Sequence, residues 1–135
     1  LVRPQKAFRA VALELELDDA LPKVALAQER LTQVLLNLLL NAADAVGQAG
    51  GRVALRAARA EDKVVLEVED SGPGVADEMR GRLFEPFATS KEVGKGTGLG
   101  LAVCRGLVEA AGGTIAVAER GALGGARFVV ELPAA

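Results

Sequence analysis

The stretch ERLTQVLLNLLLNAAD, Glu29 to Asp44, reads as a single helix when its residues are laid on a 3.6-residue period. Leu31, Val34, Leu35, Leu38, Leu39, Ala42, Ala45 and Val46 recur at steps of three and four, and Leu36, Leu40 and Ala43 carry the apolar surface further round. Such a helix must be buried on most sides. One polar stripe survives along it: Arg30, Gln33, Asn37, Asn41 and Asp44 follow one another over successive turns on a single edge. An unpartnered amide inside an apolar layer costs about 1–3 kcal/mol, so the stripe is expected to face a polar occupant. On one reading that occupant is a ligand. On the other it is the backbone of a neighbouring segment, hydrogen-bonded by the two asparagines.

Working outward from this helix, 135 residues fit one domain with a sizeable core, and a single domain over 1–135 is expected. Apolar residues make up 50% of the chain but aromatics only 3%, so the core must be built from Leu, Val and Ala. A net charge of −2 offers neither the basic excess of a nucleic-acid binder nor a polybasic membrane patch. Cys104, the single cysteine, lies in an apolar helical run and reads as a buried structural thiol, with no disulfide framework or thiolate metal cluster. No apolar run approaches a membrane span and no signal-peptide pattern opens the chain, so a cytoplasmic piece without membrane contact is expected, whether its parent is soluble or anchored. The first residues, LVRPQKAF, carry no initiator Met, from which a segment of a longer protein is expected. The most informative count is zero: without histidine the chain has no imidazole for acid–base work, metal binding or phosphate acceptance.

VALELEL, Val11 to Leu17, alternates apolar and acidic residues and predicts a half-buried strand with Val11, Leu13, Leu15 and Leu17 inward. Lys23 to Leu26 suggests a brief second strand before the helix, whose entry at Ala27 and Gln28 lacks a capping side chain. After Gly47, Gly50 and Gly51 end the helix, Arg52 to Ala58 and Lys63 to Glu69 read as paired strands. Val64, Leu66 and Val68 share one face of the second of these, and counting on by two puts Asp70 on that apolar face at the strand end. A carboxylate there must find donors or take a raised pKa. Ser71-Gly72-Pro73-Gly74 follows as a tight turn that lets something approach the backbone closely. A short helix is expected over Val75 to Arg82, then a stretch without periodicity from Phe84-Glu85-Pro86-Phe87 to Thr97. Leu101, Val103, Cys104, Leu107, Val108 and Ala111 mark a further helix, stopped by Gly112 and Gly113, and Thr114 to Glu119 and Ala126 to Leu132 form the last two strands. This order predicts an α+β fold, a mixed and largely antiparallel sheet with helices on one face.

The glycines at 94, 96, 98 and 100 run into a helix entry, where free amides and the positive end of the dipole favour an anion. Thr89, Ser90, Lys91, Lys95 and Thr97 add donors and cations suited to a polyphosphate. The pattern is neither a dinucleotide turn in register nor a P-loop. Specificity comes from the combination: Asn37 and Asn41 four residues apart, DSGPG at 70–74, FEPF at 84–87 and GTGLGL at 96–101, in that order. Together they resemble the N, G1, F and G2 boxes of the ATP-binding catalytic domain of sensor histidine kinases, within the superfamily shared with type II topoisomerases, heat-shock chaperones and mismatch-repair ATPases. QVLLNLLLNAADA and FATSK resemble most the nitrogen-regulation branch.

The resemblance spans about Val11 to Leu132 and implies a two-layer α/β sandwich, the Bergerat ATP-binding fold, with ATP between the N-box helix and a mobile lid. It implies that Asn41 ligates Mg²⁺, that Asn37 is the polar residue one turn earlier, and that Asp70 accepts a hydrogen bond from the adenine amine. Gly72 and Gly74 match the turn under the base, while Gly96, Gly98, Leu99 and Gly100 match the phosphate-binding end of the lid. Lys91 resembles the lid lysine that reaches toward the γ-phosphate and joins Asn37 as a catalytic residue. Asp44, Ala45, Val75, Thr89, Thr97 and Leu101 complete the implied nucleotide-binding set. Two positions depart from the family pattern: Ala27, where Asp often caps the helix, and Ala126, where Thr or Ser brings a hydroxyl toward the base. The implied function is γ-phosphoryl transfer from Mg-ATP to a histidine on the dimerisation domain of the same parent protein, with a response regulator as indirect partner. Its rivals are a hydrolysing ATPase of the same fold, a serine kinase of the anti-sigma type and a nucleotide sensor without catalysis. The Asn37 amide stands where hydrolysing relatives place a glutamate that activates water, and it cannot take a proton near neutral pH.

Overall fold

The computed structural model describes residues 11–18, 21–24, 26–47, 51–74, 83–85, 100–118 and 123–134. Five strands, β1 (Val11–Leu17), β2 (Gly51–Ala60), β3 (Lys63–Asp70), β4 (Thr114–Ala118) and β5 (Arg127–Pro133), form one sheet in the order β1-β2-β3-β5-β4. β1 runs parallel to β2 and every other pairing is antiparallel, the mixed and largely antiparallel sheet that the element order predicts. Two helices, α1 (Gln28–Val46) and α2 (Gly100–Ala110), pack on one face of the sheet and against each other.

Register sorts the side chains by face. Val53, Leu55 and Ala57 of β2 stand opposite Asp70, Val68 and Leu66 of β3, and Phe128, Val130 and Leu132 of β5 continue the rows. These residues, with the exception of Asp70, meet Val34, Leu38, Leu39, Ala42 and Ala43 of α1 and Cys104 and Val108 of α2 in one apolar core. Burying a Leu or Val side chain is worth roughly 1.5–3 kcal/mol, so the core rests on aliphatic burial rather than on aromatics. Among the described residues one ring pair joins Phe84 edge-on to Phe128, with centroids 6.2 Å apart and planes at 87°. It ties the start of the FEPF segment to the helix-covered face of β5.

The opposite face carries charge. Arg52 pairs with Glu14 at 2.6 Å, Arg127 with Glu67 at 2.6 Å and Lys63 with Glu131 at 3.9 Å, while Arg56 pairs with both Glu67 and Glu69. Cross-strand neighbours of opposite sign account for the strands' alternation of apolar and charged residues.

Some expectations need correction. The brief strand over Lys23 to Leu26 reduces to a single bridge from Val24 to Ala134. Gly51 opens β2 rather than ending the helix, because its N-terminal position in the strand lies beside Val11 of β1. α1 runs to Val46 and stops at Gly47, the first of the glycines expected to end it. Leu15 and Leu17 do lie in register with the helix-side residues of β2, yet they are 55% and 53% exposed, since β1 is the sheet edge and α1 lies over β2 and β3. The short helix expected over Val75 to Arg82 lies outside the described residues.

Ala27 enters α1 without a side-chain hydrogen bond, leaving only its carbonyl to accept from Leu31 N–H at 2.9 Å. The first-turn amides therefore lack the cap that the sequence omits. Replacing Ala27→Asp should raise stability by about 1 kcal/mol in urea unfolding. An unchanged or lowered midpoint would mean that these amides already have partners.

Candidate functional site

β3 ends at Asp70, and strand parity delivers its side chain to the helix-covered face, where it is 1% exposed. Oδ1 accepts from Gly72 N–H at 2.9 Å and from Ala126 N–H at 3.2 Å. The backbone adds a second set of ties: Asp70 N–H donates to Ala126 O at 3.0 Å, and Gly125 N–H donates to Asp70 O at 3.0 Å. Burial pushes the Asp70 carboxyl above its ordinary range, more than the amides of Gly72 and Ala126 pull it down. Both donated bonds fall on Oδ1, so Oδ2 takes none from the described residues.

The turn beyond Asp70 is seated from two sides. Ser71 N–H donates to Arg52 O at 3.0 Å, and Arg52 N–H returns a bond to Ser71 Oγ at 2.9 Å, which locks the turn to the start of β2. A side chain at Gly72 would meet the Ala45 carbonyl of α1 at 2.7 Å, so glycine there permits helix and turn to touch. Gly74 takes φ +83°, the left-handed region that glycine enters without strain. Ala45 is one turn beyond Asn41, so this contact brings the polar stripe of α1 beside the end of β3.

Along the stripe, Arg30, Gln33 and Asp44 are exposed while Asn37 and Asn41 are half-buried. The Asn37 amide lies near the sulfur of Cys104 on α2, whose thiol donates to Val34 O at 3.6 Å. Burial pushes the Cys104 thiol up, and the Asn37 amide only partly offsets this, so Cys104 is the buried structural thiol that its apolar surroundings predict. Gly100 and Leu101, both half-buried, open α2. Val75, Thr89, Lys91, Gly96, Thr97, Gly98 and Leu99 lie outside the described residues, as does most of the stretch expected to form a lid.

Two contributors escaped the sequence reading. Gly125 lies so close to Asp70 that a side chain there would collide with the Asp70 carbonyl and carboxylate. Glu69, next to Asp70 but on the charged face, is also 1% exposed. Desolvation alone would raise its pKa, but the Leu123 N–H at 2.7 Å and the Arg56 guanidinium outweigh it and hold the carboxyl below the usual range. The glycine run at 121–125 hinted at the first; nothing in the alternation of β3 marked the second.

Among the described residues, a five-stranded mixed sheet is layered on two helices, with the turn beyond its central strand seated on the first helix, an α/β sandwich. Residues 27–135 match the family of histidine kinase-, DNA gyrase B- and HSP90-like ATPases, and the chain belongs to that family. It is 43% identical over 133 residues to the sensor histidine kinase ZraS of Escherichia coli O157:H7, an alignment that takes in 98% of this chain and 28% of ZraS. The chain thus spans little more than a quarter of that relative. Among solved structures, the catalytic domain of histidine kinase ThkA superposes with a TM-score of 0.81 at 34% identity, over 93% of this chain and 80% of that one. Full-length ShkA in complex with AMPPNP gives a TM-score of 0.74 at 37% identity, over 93% of this chain and 26% of that one.

The raised pKa of Asp70 has a consequence for stability. Its ionised form is costlier folded than unfolded, so the penalty is full above the folded pKa, shrinks as pH falls through it, and vanishes below the unfolded value near 3.8. Asp70→Asn keeps an oxygen for Gly72 and Ala126 and removes the charge. Its melting temperature should exceed that of the parent chain at pH 7, with the gap closing as the pH approaches 4. A lower melting temperature at pH 7 would show that the charge stabilises the fold.

Proposed function

We propose that this chain, as one domain, holds Mg-ATP between α1 and the segment 89–101. It donates the γ-phosphoryl group to a histidine on the dimerisation and phosphoacceptor domain of its parent protein. A response regulator acts downstream, and the parent is a cytoplasm-facing sensor kinase of the nitrogen-regulation-like branch. The observation that carries this reading is Asp70: a nearly buried carboxylate with Oδ1 engaged by two amides and Oδ2 available to accept from an exocyclic amine. Adenine offers that donor, whereas the carbonyl of guanine at the same ring position would repel the carboxylate.

The remaining assignments follow from the family and from position. By the family pattern, Gly72, Gly74 and Val75 are assigned to the turn under the base, and Asp44 and Ala45 to the helix edge beside it. By the same pattern, Gly96, Thr97, Gly98, Leu99, Gly100 and Leu101 are assigned to the phosphates, Thr89 to the nucleotide and Lys91 to the γ-phosphate. Asn41 suits Mg²⁺, because a neutral amide oxygen is a hard ligand and the phosphates supply the charge. Among the described residues no group of three or more His, Cys, Asp or Glu is placed to hold a metal, which fits an ion that arrives on the nucleotide. Bound there, the ion would neutralise phosphate charge. Asn37 supplies no base for water, so the phosphoryl group is kept for an imidazole nitrogen, with ADP as leaving group.

Two outcomes test the reading. Asn41→Ala should weaken binding of Mg-ATP by calorimetry by about tenfold, and metal-free ATP distinctly less. Equal losses with and without Mg²⁺ would make Asn41 a structural amide. The chain alone, having no histidine, should bind ATP without labelling itself and without the roughly 10²–10⁴-fold that a general base contributes to hydrolysis. Adding the parent's histidine-bearing hairpin should yield an acid-labile, base-stable phosphoprotein, more slowly with Lys91→Ala. Rapid turnover by the isolated chain would favour an ATPase, and no transfer to the hairpin would favour a sensor.

A further inference from the structure

Glu69 and Asp70 are adjacent at the end of β3, point to opposite faces of the sheet, and are both 1% exposed. Each accepts a backbone N–H from the same turn between β4 and β5. Glu69 Oε2 takes Leu123 N–H at 2.7 Å, and Asp70 Oδ1 takes Ala126 N–H at 3.2 Å. The turn therefore straddles the strand end, gripped three residues apart by two carboxylates. On the charged face Arg56 of β2, whose register partner is Glu67, reaches one step further to pair with Glu69. Arg127, on the strand that the turn feeds, pairs with Glu67 at 2.6 Å and closes the network.

Backbone bonds between Asp70 and the Gly125–Ala126 pair hold one end of this turn, and the Leu123 amide on Glu69 holds the other. Residues 121–125 are GALGG, Gly124 takes φ +87°, and Ala126 has no side-chain hydroxyl to lock the contact. Glycine-rich backbone loses more conformational freedom on ordering than any other, so an anchor outside the turn decides how tightly it is held. Yet the turn must be held closely, because Gly125 lies against the Asp70 carbonyl and carboxylate with no space for a side chain. A turn that drifted would withdraw the Ala126 amide from Oδ1 and let the Asp70 carboxylate rotate.

We infer that Glu69 is a positioning residue for base recognition: by accepting the Leu123 amide it fixes the 123–126 turn, which in turn orients Asp70 so that Oδ2 faces the exocyclic amine of the purine. Glu69 acts from the far face of the sheet and touches no nucleotide. The inference rests on the proposed reading of Asp70 as the acceptor for adenine.

A matched pair of substitutions separates the hydrogen bond from the charge. Glu69→Gln retains an oxygen for Leu123 N–H, Glu69→Met retains the length but no such acceptor, and both are neutral. Calorimetric titration of the whole chain with Mg-ATP and with Mg-GTP gives the discrimination ratio, with circular dichroism as the check on folding. The Glu69→Met ratio should fall about tenfold, the loss expected for one well-placed hydrogen bond to a charged group, while Glu69→Gln stays near the parent value. An unchanged ratio in folded Glu69→Met overturns the inference, and so does an equal loss in both variants, which would assign the effect to the charge. Should Glu69→Met not fold, Glu69→Gln decides alone: a parental ratio supports the inference and a lost one overturns it. Asp70→Asn serves as the control. If it leaves the ratio intact, the reading of Asp70 itself fails; if it abolishes the ratio while both Glu69 variants keep theirs, only the role of Glu69 fails.

Discussion

A carboxylate placed on the apolar side of a sheet has to be solvated by the protein itself, and at Asp70 that requirement draws three separate segments to one point. Side-chain oxygen needs N–H donors; the nearest available are Gly72, in the turn that follows, and Ala126, in the turn before β5. Bringing both within reach forces backbone against backbone, which is why Gly72 and Gly125 leave no room for side chains. The C-terminal end of α1 then closes on the same turn through the Ala45 carbonyl. Helix, central strand and two loops are thus fixed relative to one another by the hydrogen-bond needs of one buried acid.

Identical chemistry on the two faces of β3 meets opposite fates. Glu69 lies among Arg56, Arg127 and the Leu123 amide, so its charge is compensated and its pKa falls despite burial. Asp70, one residue on, has only neutral dipoles against it and an acidic neighbour, so desolvation prevails and its pKa rises. The division follows from the sheet's construction, with aliphatic rows under the helices and cross-strand ion pairs on the other side.

The polar stripe on α1 is divided in a similar way. Asn37 lies near Cys104 of α2, whereas Asn41 sits one turn nearer the contact between Ala45 and Gly72. On the proposed reading the first asparagine shapes the site and the second meets the ion. On the same reading the domain presents a nucleotide to a nucleophile carried elsewhere.

Alternation and helical period were enough to determine the type of nearly every described element, the face on which Asp70 lies, the missing cap at Ala27 and the inert character of Cys104. These are local properties, set by which residues recur at two, three or four steps. The order of the boxes also carried the family, because Asn41, Asp70 and the glycines of 72 and 74 have a spacing that belongs to it. What the tertiary structure decided was everything that depends on which strands become neighbours. The edge position of β1 leaves Leu15 and Leu17 exposed although their pattern is that of core residues. The pairing of β2 with β3 brings Arg56 to Glu69, and the return of the chain through β4 and β5 brings Leu123, Gly125 and Ala126 to the end of β3. The last three are more than fifty residues from the carboxylates they serve. No periodicity connects positions so far apart; only the closing of the sheet places their amides within hydrogen-bonding distance.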